Sequence, residues 1–165
     1  MNRLKLRIYT LTAMIAAICV VGSMVKIPTT ATSTAALDSA PAFLSVVFLP
    51  PLFAGIAGLL GHFATALTSG FPLGLFHIII AVEMFIVVFI FGWLHKKGMH
   101  ILKWIFALVG NGILAPLPFY FLISPAFYVA SVPGLLVATA INLVIVAVVM
   151  PVLSKVFATR GGQAS

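Results

Sequence analysis

Charge is what this sequence has least of. Only 7% of its 165 residues are charged, against about 25% in an average soluble domain. Acid is nearly absent, with Asp38 and Glu83 set against nine Lys and Arg. A soluble fold of this size could not cover its surface with so few charges. The chain is 63% hydrophobic with a mean hydropathy of +1.29, so it is integral to a membrane. Cytosolic, secreted and nucleic-acid-binding readings are excluded, and the net charge of +7 has another origin. The basic residues stand at the ends of apolar runs, as orientation signals do. Cys19 is the single cysteine, which rules out an intrachain disulfide and a Cys-based metal site. No G-x-x-x-x-G-K-[ST], H-E-x-x-H or G-x-S-x-G pattern occurs, and the acids are too few for a catalytic carboxylate pair. The sequence therefore points to no catalytic residue, no metal and no cofactor. An enzyme is not expected.

What is present in abundance is apolar length. A helix needs about 20 apolar residues to cross a hydrocarbon core of about 30 Å. Four runs qualify: Ile8 to Val25, Leu73 to Leu94, Ile101 to Ile123 and Val132 to Leu153. The basic start followed by Ile8 to Val25 has the outline of a signal peptide, but no small-x-small cleavage site follows. It is read as a retained first helix. The stretch Ala42 to Thr68 is either one helix or two pieces broken at Pro50-Pro51. Charge decides between them. A break that turns the chain inside puts all of the nine basic residues except Lys26 on the cytoplasmic side. The expected fold is all-α, a polytopic membrane protein of six transmembrane helices with both termini cytoplasmic. It forms a single domain over residues 1–165. Ala42 to Leu49 is too short to span alone, so it is tilted, extended or sheltered, and a re-entrant hairpin would satisfy the same parity. The connection 26–41 is long, external, and rich in Thr, Ser and Ala. It reads as a solvated linker or as a lid over an external pocket.

Ionisable and amide side chains at bilayer depth are expensive and often functional. At about 1.5 Å of rise per residue, His62, Glu83, Asn111 and Asn142 each fall about 15 Å into their segments, near the midplane. His77 lies closer to the outer surface. Each has a plain alternative, a hydrogen bond between neighbouring helices. Gly55, Gly58, His62, Thr65 and Ser69 share one narrow helix face, suited to close contact with another helix. Ala13 and Ala17 form a small groove on the first helix, for an internal neighbour or for a separate subunit. Phe43, Phe71, Phe119, Tyr120, Phe127 and Tyr128 gather toward the outer side, as an interfacial belt or a pocket for a flat ring. Pro116 and Pro118 kink the fifth helix just below Phe119 and Tyr120. Kinks free backbone carbonyls that a site can use. Together these features describe a small-molecule binder in a membrane without its own energy source.

With those residues in hand, the chain resembles the substrate-binding S components of energy-coupling factor (ECF) vitamin transporters. The resemblance rests on Ala13-x-x-x-Ala17, Asp38-x-x-Pro41-Ala42-Phe43, Pro51-x-x-x-Gly55-x-x-x-x-Leu60-Gly61-His62 and Gly70-Phe71-Pro72-x-Gly74-x-x-His77. It implies that Ala13 and Ala17 dock on a transmembrane coupling subunit, that two ABC ATPase subunits supply energy, and that the protein topples in the bilayer of a bacterial cell membrane. It also implies a ligand site near Asp38, Phe71, His77, Tyr120, Tyr128 and Asn142, floored by Glu83 and Asn111. The Gly-Phe-Pro and His elements look most like the alpha-ribazole transporters of cobamide salvage. Two other readings stay open: a self-sufficient permease coupled to protons through Glu83, and a structural membrane subunit that binds no ligand.

Overall fold

Asn2 starts the first helix. Its side chain accepts from the Leu4 N–H at 3.2 Å, taking up one of the donors that a helix N-terminus leaves free. The computed structural model describes residues 2–28 and 34–162. The middle of the expected external connection, residues 29–33, lies outside the described residues, as do the side chains of Lys26 and Arg160. Helix α1 (Arg3–Met24) leads into a short antiparallel ribbon of β1 (Lys26–Pro28) and β2 (Thr34–Ala36), paired Lys26 to Ala36 and Pro28 to Thr34. Then come α2 (Ala40–Ser45), α3 (Pro51–Thr68), α4 (Phe76–Lys96), α5 (His100–Val109), a π-helical turn (Gly110–Leu114), α6 (Pro118–Leu122) and α7 (Pro125–Gly162). The protein is an all-α, polytopic membrane protein. Among the described residues, five stretches are long and apolar enough to cross a membrane: α1, α3, α4, the run His100–Leu122, and Pro125–Phe157.

The second segment is the unusual one. Helix α2 has six residues, about 9 Å of rise, far short of a crossing. It works because both of its ends are sheltered. The Ala40 N–H is held by Asn142 in the middle of α7 at 2.9 Å, so the connection from β2 descends into the bundle before α2 begins. Residues Val46 to Pro50 then turn beside Leu4, Arg7 and Lys96, at the basic end. Pro51 is the first residue of α3, where its missing N–H costs nothing.

Small residues set the helix spacing. A Cβ on Gly55 would lie 2.9 Å from Phe85, and one on Gly58 3.1 Å from Val88. The glycine face of α3 therefore packs on α4. Gly61 points elsewhere, its Cβ position 2.6 Å from that of Cys19 on α1. The core between these helices centres on Phe43, Val88, Phe91 and Val146, all fully buried. Phe43 and Trp104 both meet the Phe91 ring edge-on, at 5.0 and 5.4 Å. Lys103 is buried among them. Its Nζ donates to His95 Nδ1 at 2.9 Å and lies 5.5 Å from the Phe91 ring centre, and this hydrogen bond and cation–π contact bind α5 to α4.

Helix α7 begins at Pro125, a full two turns before Val132. Ser124 explains the early start: its Oγ accepts from the Phe127 N–H at 3.1 Å, and Pro125 sits where a proline is favoured. The helix continues through Pro133 and Pro151, as membrane helices flanked by neighbours do.

Candidate functional site

The end of α4 opposite the basic residues faces a break in the next crossing. Ala115 N–H donates five residues back to the Gly110 carbonyl at 2.8 Å, which widens the backbone into a π turn. Pro116 follows with no N–H to offer the Asn111 carbonyl. Pro133 likewise cannot donate to the Val129 carbonyl on α7. The two interrupted ladders and α4 enclose a cavity of about 470 Å³, within the range of small-molecule sites.

Ile80 and Glu83 supply the α4 wall, and Asn111, Ala115, Pro116 and Phe119 the broken crossing. Phe127, Ser131, Gly134 and Ala138 close it from α7. The Phe119 and Phe127 rings stand 6.2 Å apart, edge to face, and Phe76 backs Phe119 at 5.7 Å. Asn111 Nδ2 donates to Thr139 Oγ1 at 2.8 Å. Glu83 Oε2 is buried and has no hydrogen-bond partner. A buried carboxyl oxygen without a partner carries a desolvation cost of about 1–3 kcal/mol, which a ligand donor would remove. No Lys or Arg lines the cavity, so nothing there compensates a phosphate.

Of the site residues that the resemblance names, only Glu83 and Asn111 line this cavity; Phe119 and Phe127, singled out with the outer aromatics, and the kinking Pro116 line it too. Tyr120 and Tyr128 pair with each other, rings 5.9 Å apart, and the Tyr128 hydroxyl reaches the Ile113 carbonyl at 3.4 Å. They buttress the π turn from outside. Asn142 is spent on backbone: Nδ2 donates to the Ala36 and Ala138 carbonyls at 2.8 and 2.9 Å, and Oδ1 accepts from Ala40. Asp38 lies against α1, its Cα 3.5 Å from where a Gly22 Cβ would be. Burial pushes its carboxyl up to about 6, against the pull of neighbouring backbone N–H groups.

Phe71 and His77 belong to a clasp on the α3–α4 turn. Phe71 has a left-handed backbone, φ 51°, an uncommon state for a bulky residue. It is held by its N–H to the Ala66 carbonyl at 2.9 Å and by edge contacts with Phe63 and His77. Leu73 N–H points at His77 Nε2 (3.4 Å), so His77 Nδ1 carries the proton and donates to His62 Nε2 at 3.2 Å. Phe119 and Phe127 read from the sequence as belt or ring-pocket aromatics, with the Pro116/Pro118 kink beside them as the signal, whereas nothing in it singles out Ser131 and Thr139.

Ala13 and Ala17 are exposed on α1. With Ala16, Val20, Leu60, Phe63, Ala64 and Leu67 they line an open, almost wholly apolar groove of about 550 Å³ between α1 and α3.

A polytopic helical bundle with a mainly apolar cavity that holds one acid and one amide, and with an open small-residue groove, has the parts of a membrane-embedded ligand-binding subunit. The chain belongs to the substrate-specific component family of ECF transporters, whose pattern matches residues 7–154. Members of that family are transporter subunits, not enzymes, and work with a coupling subunit and ATPases. No curated protein and no solved structure matches the chain significantly.

Proposed function

We propose that this protein captures a vitamin precursor of the nucleoside-like class, alpha-ribazole being the best match, for ATP-driven uptake across a bacterial cell membrane. The observation that carries the ligand class is Glu83 Oε2, buried and unpartnered, in one cavity with Asn111 and the aromatic pair Phe119–Phe127. A flat ring stacks against such a pair. Ribose hydroxyls supply donors to the carboxylate and acceptors for the Asn111 amide. The absence of any cation in the lining favours the free riboside over its phosphate. Of the residues named by resemblance, Glu83 and Asn111 contact ligand. Asp38, Phe71, His77, Tyr120, Tyr128 and Asn142 shape the surrounding loops. Ala13 and Ala17 dock the coupling subunit, and two ABC ATPases complete the importer.

Isothermal titration of the detergent-purified protein with alpha-ribazole and with alpha-ribazole 5′-phosphate tests this. Saturable binding of the riboside, at least tenfold tighter than of the phosphate and weakened at least tenfold in Glu83→Gln, supports it. Equal or tighter binding of the phosphate overturns the ligand class. The unpartnered Glu83 also suits a proton-coupled permease. Uptake that collapses with the proton gradient and proceeds without ATPase subunits would establish that reading instead.

A further inference from the structure

The basic end of the bundle holds a second cavity that the ligand site does not explain. Because α2 stops at Ser45, no helix fills the space between α1 and the end of α7 in this half of the membrane. Turns at Val46 to Pro50 cover only part of it. A cavity of about 360 Å³ remains, lined by Leu4, Ile8 and Leu11 of α1, by Val46 to Pro50, and by Phe157 of α7. Leu4, Ile8 and Leu11 recur at helical spacing on one face. Phe48 stacks on Phe157 with ring centres 4.8 Å apart. Two cations, Arg7 and Lys96, complete the lining.

Among the described residues, neither cation has a carboxylate near it. The chain's acids are Asp38 and Glu83; the first lies against Gly22 on α1 and the second in the ligand cavity. Two uncompensated cations in one cavity with an apolar helix face describe a particular guest: an anionic head joined to hydrocarbon. A soluble anion would leave the Leu4, Ile8 and Leu11 face uncovered, and a neutral lipid would leave both charges unmatched. We infer that this cavity binds an anionic glycerophospholipid of the leaflet at the basic end, its phosphate between Arg7 and Lys96 and an acyl chain along Leu4, Ile8 and Leu11. Basic pockets between membrane helices recognise lipid head groups in this way. The site is independent of which small ligand the other cavity takes.

Native mass spectrometry tests the inference, with the purified protein titrated separately with phosphatidylglycerol, phosphatidylcholine and inorganic phosphate. One tightly held phosphatidylglycerol, with phosphatidylcholine bound far more weakly, is expected. In R7Q/K96Q the phosphatidylglycerol adduct should weaken roughly 30-fold, from two lost head-group contacts. The charge-matched R3Q/K5Q, which leaves the lining intact, should keep it. I8W, which fills the slot and keeps both cations, should also lose it, so the inference does not hang on one variant. Equal adducts of the two lipids, equal loss in both charge variants, or full retention in I8W would overturn it. Saturation by phosphate that excludes phosphatidylglycerol would assign the site to a soluble anion instead.

Discussion

Asn142 to Ala should release the connection between α1 and α3 from the bundle. The side chain is 2% exposed and joins residues more than 100 positions apart in sequence: Nδ2 to the Ala36 carbonyl at 2.8 Å, and the Ala40 N–H to Oδ1 at 2.9 Å. The third bond, to Ala138 within α7, adds little, because that carbonyl already has its helix partner. Truncation therefore strands one buried donor and one buried acceptor, each costing about 1–3 kcal/mol. The sum, about 2–6 kcal/mol, falls on the local equilibrium between docked and undocked loop. Cys19 reports that equilibrium without further engineering. It is 1% exposed and lies beside the Ala42 backbone and Asp38, under the segment that Asn142 pins. At about 1.4 kcal/mol per factor of ten, maleimide labelling of Cys19 should accelerate by at least roughly 30-fold, and up to roughly 20,000-fold, in Asn142→Ala. A labelling rate and melting temperature equal to wild type would refute the assignment of Asn142 as the anchor.

Three further outcomes follow from the packing and charge. Gly61→Ala places a methyl 2.6 Å from Cys19 Cβ and should destabilise the α1–α3 contact by about 1–3 kcal/mol, read as a lowered melting temperature in detergent; Gly98→Ala, whose Cβ meets nothing within 4 Å but whose φ is +72°, should cost less, about 1 kcal/mol. Leucine at both Ala13 and Ala17 should abolish co-purification with the coupling subunit while leaving ligand titration unchanged, since the groove they line shares no residue with the ligand cavity. Asp38 has a folded pKa of about 6 against an ordinary 3.8. Its protonated form thus stabilises the fold fully below about pH 4, and that contribution is lost as pH rises through 6. Melting profiles from pH 4 to 8 should fall across that window in wild type and stay flatter in Asp38→Asn, the difference being on the order of 2 kcal/mol.

What could be read from the sequence was whatever depends on composition and local period. Apolar length located α1, α4 and the crossing that begins at His100. Proline chemistry located the break at Pro50-Pro51, and the glycine period predicted a close helix contact without its partner, which Gly55 and Gly58 make with α4. Depth counting put Glu83 and Asn111 at the same level, and they do share a cavity. Depth says nothing about rotation, however. Asn142 sits at a comparable depth, yet its face of α7 meets the descending loop, and that contact arises from chain segments 102 and 106 residues distant. His62 and His77 are on antiparallel helices joined by a tight turn, and their meeting at 3.2 Å depends on the register set by Gly70, Phe71 and Gly74, three positive-φ residues in succession along that turn. The early start of α7 turned on one Ser124 cap, which a hydropathy window does not weigh.

The cavity contains its own competitor for ligand. Asn111 donates to Thr139 at 2.8 Å, and Thr139 is 1% exposed, so water does not share that bond. A ligand that accepts from the Asn111 amide must displace Thr139 and leave its hydroxyl to rotate or go unsatisfied. Replacing Thr139 by Val keeps the shape and removes the internal acceptor. The amide then waits unpaired in the empty protein and is satisfied only when ligand arrives. The empty state rises by the net worth of one hydrogen bond, about 0.5–1.5 kcal/mol, and affinity should increase by roughly 2- to 10-fold. Thermal stability of the ligand-free protein should fall by the same amount, which separates this account from a general loosening of the fold. In Asn111→Ala/Thr139→Val the gain should vanish, because no amide is left to be released. Affinity that is unchanged or weaker in Thr139→Val would mean that Asn111 keeps its bond to α7 when ligand is bound, and Glu83 alone would then hold the polar face of the ligand.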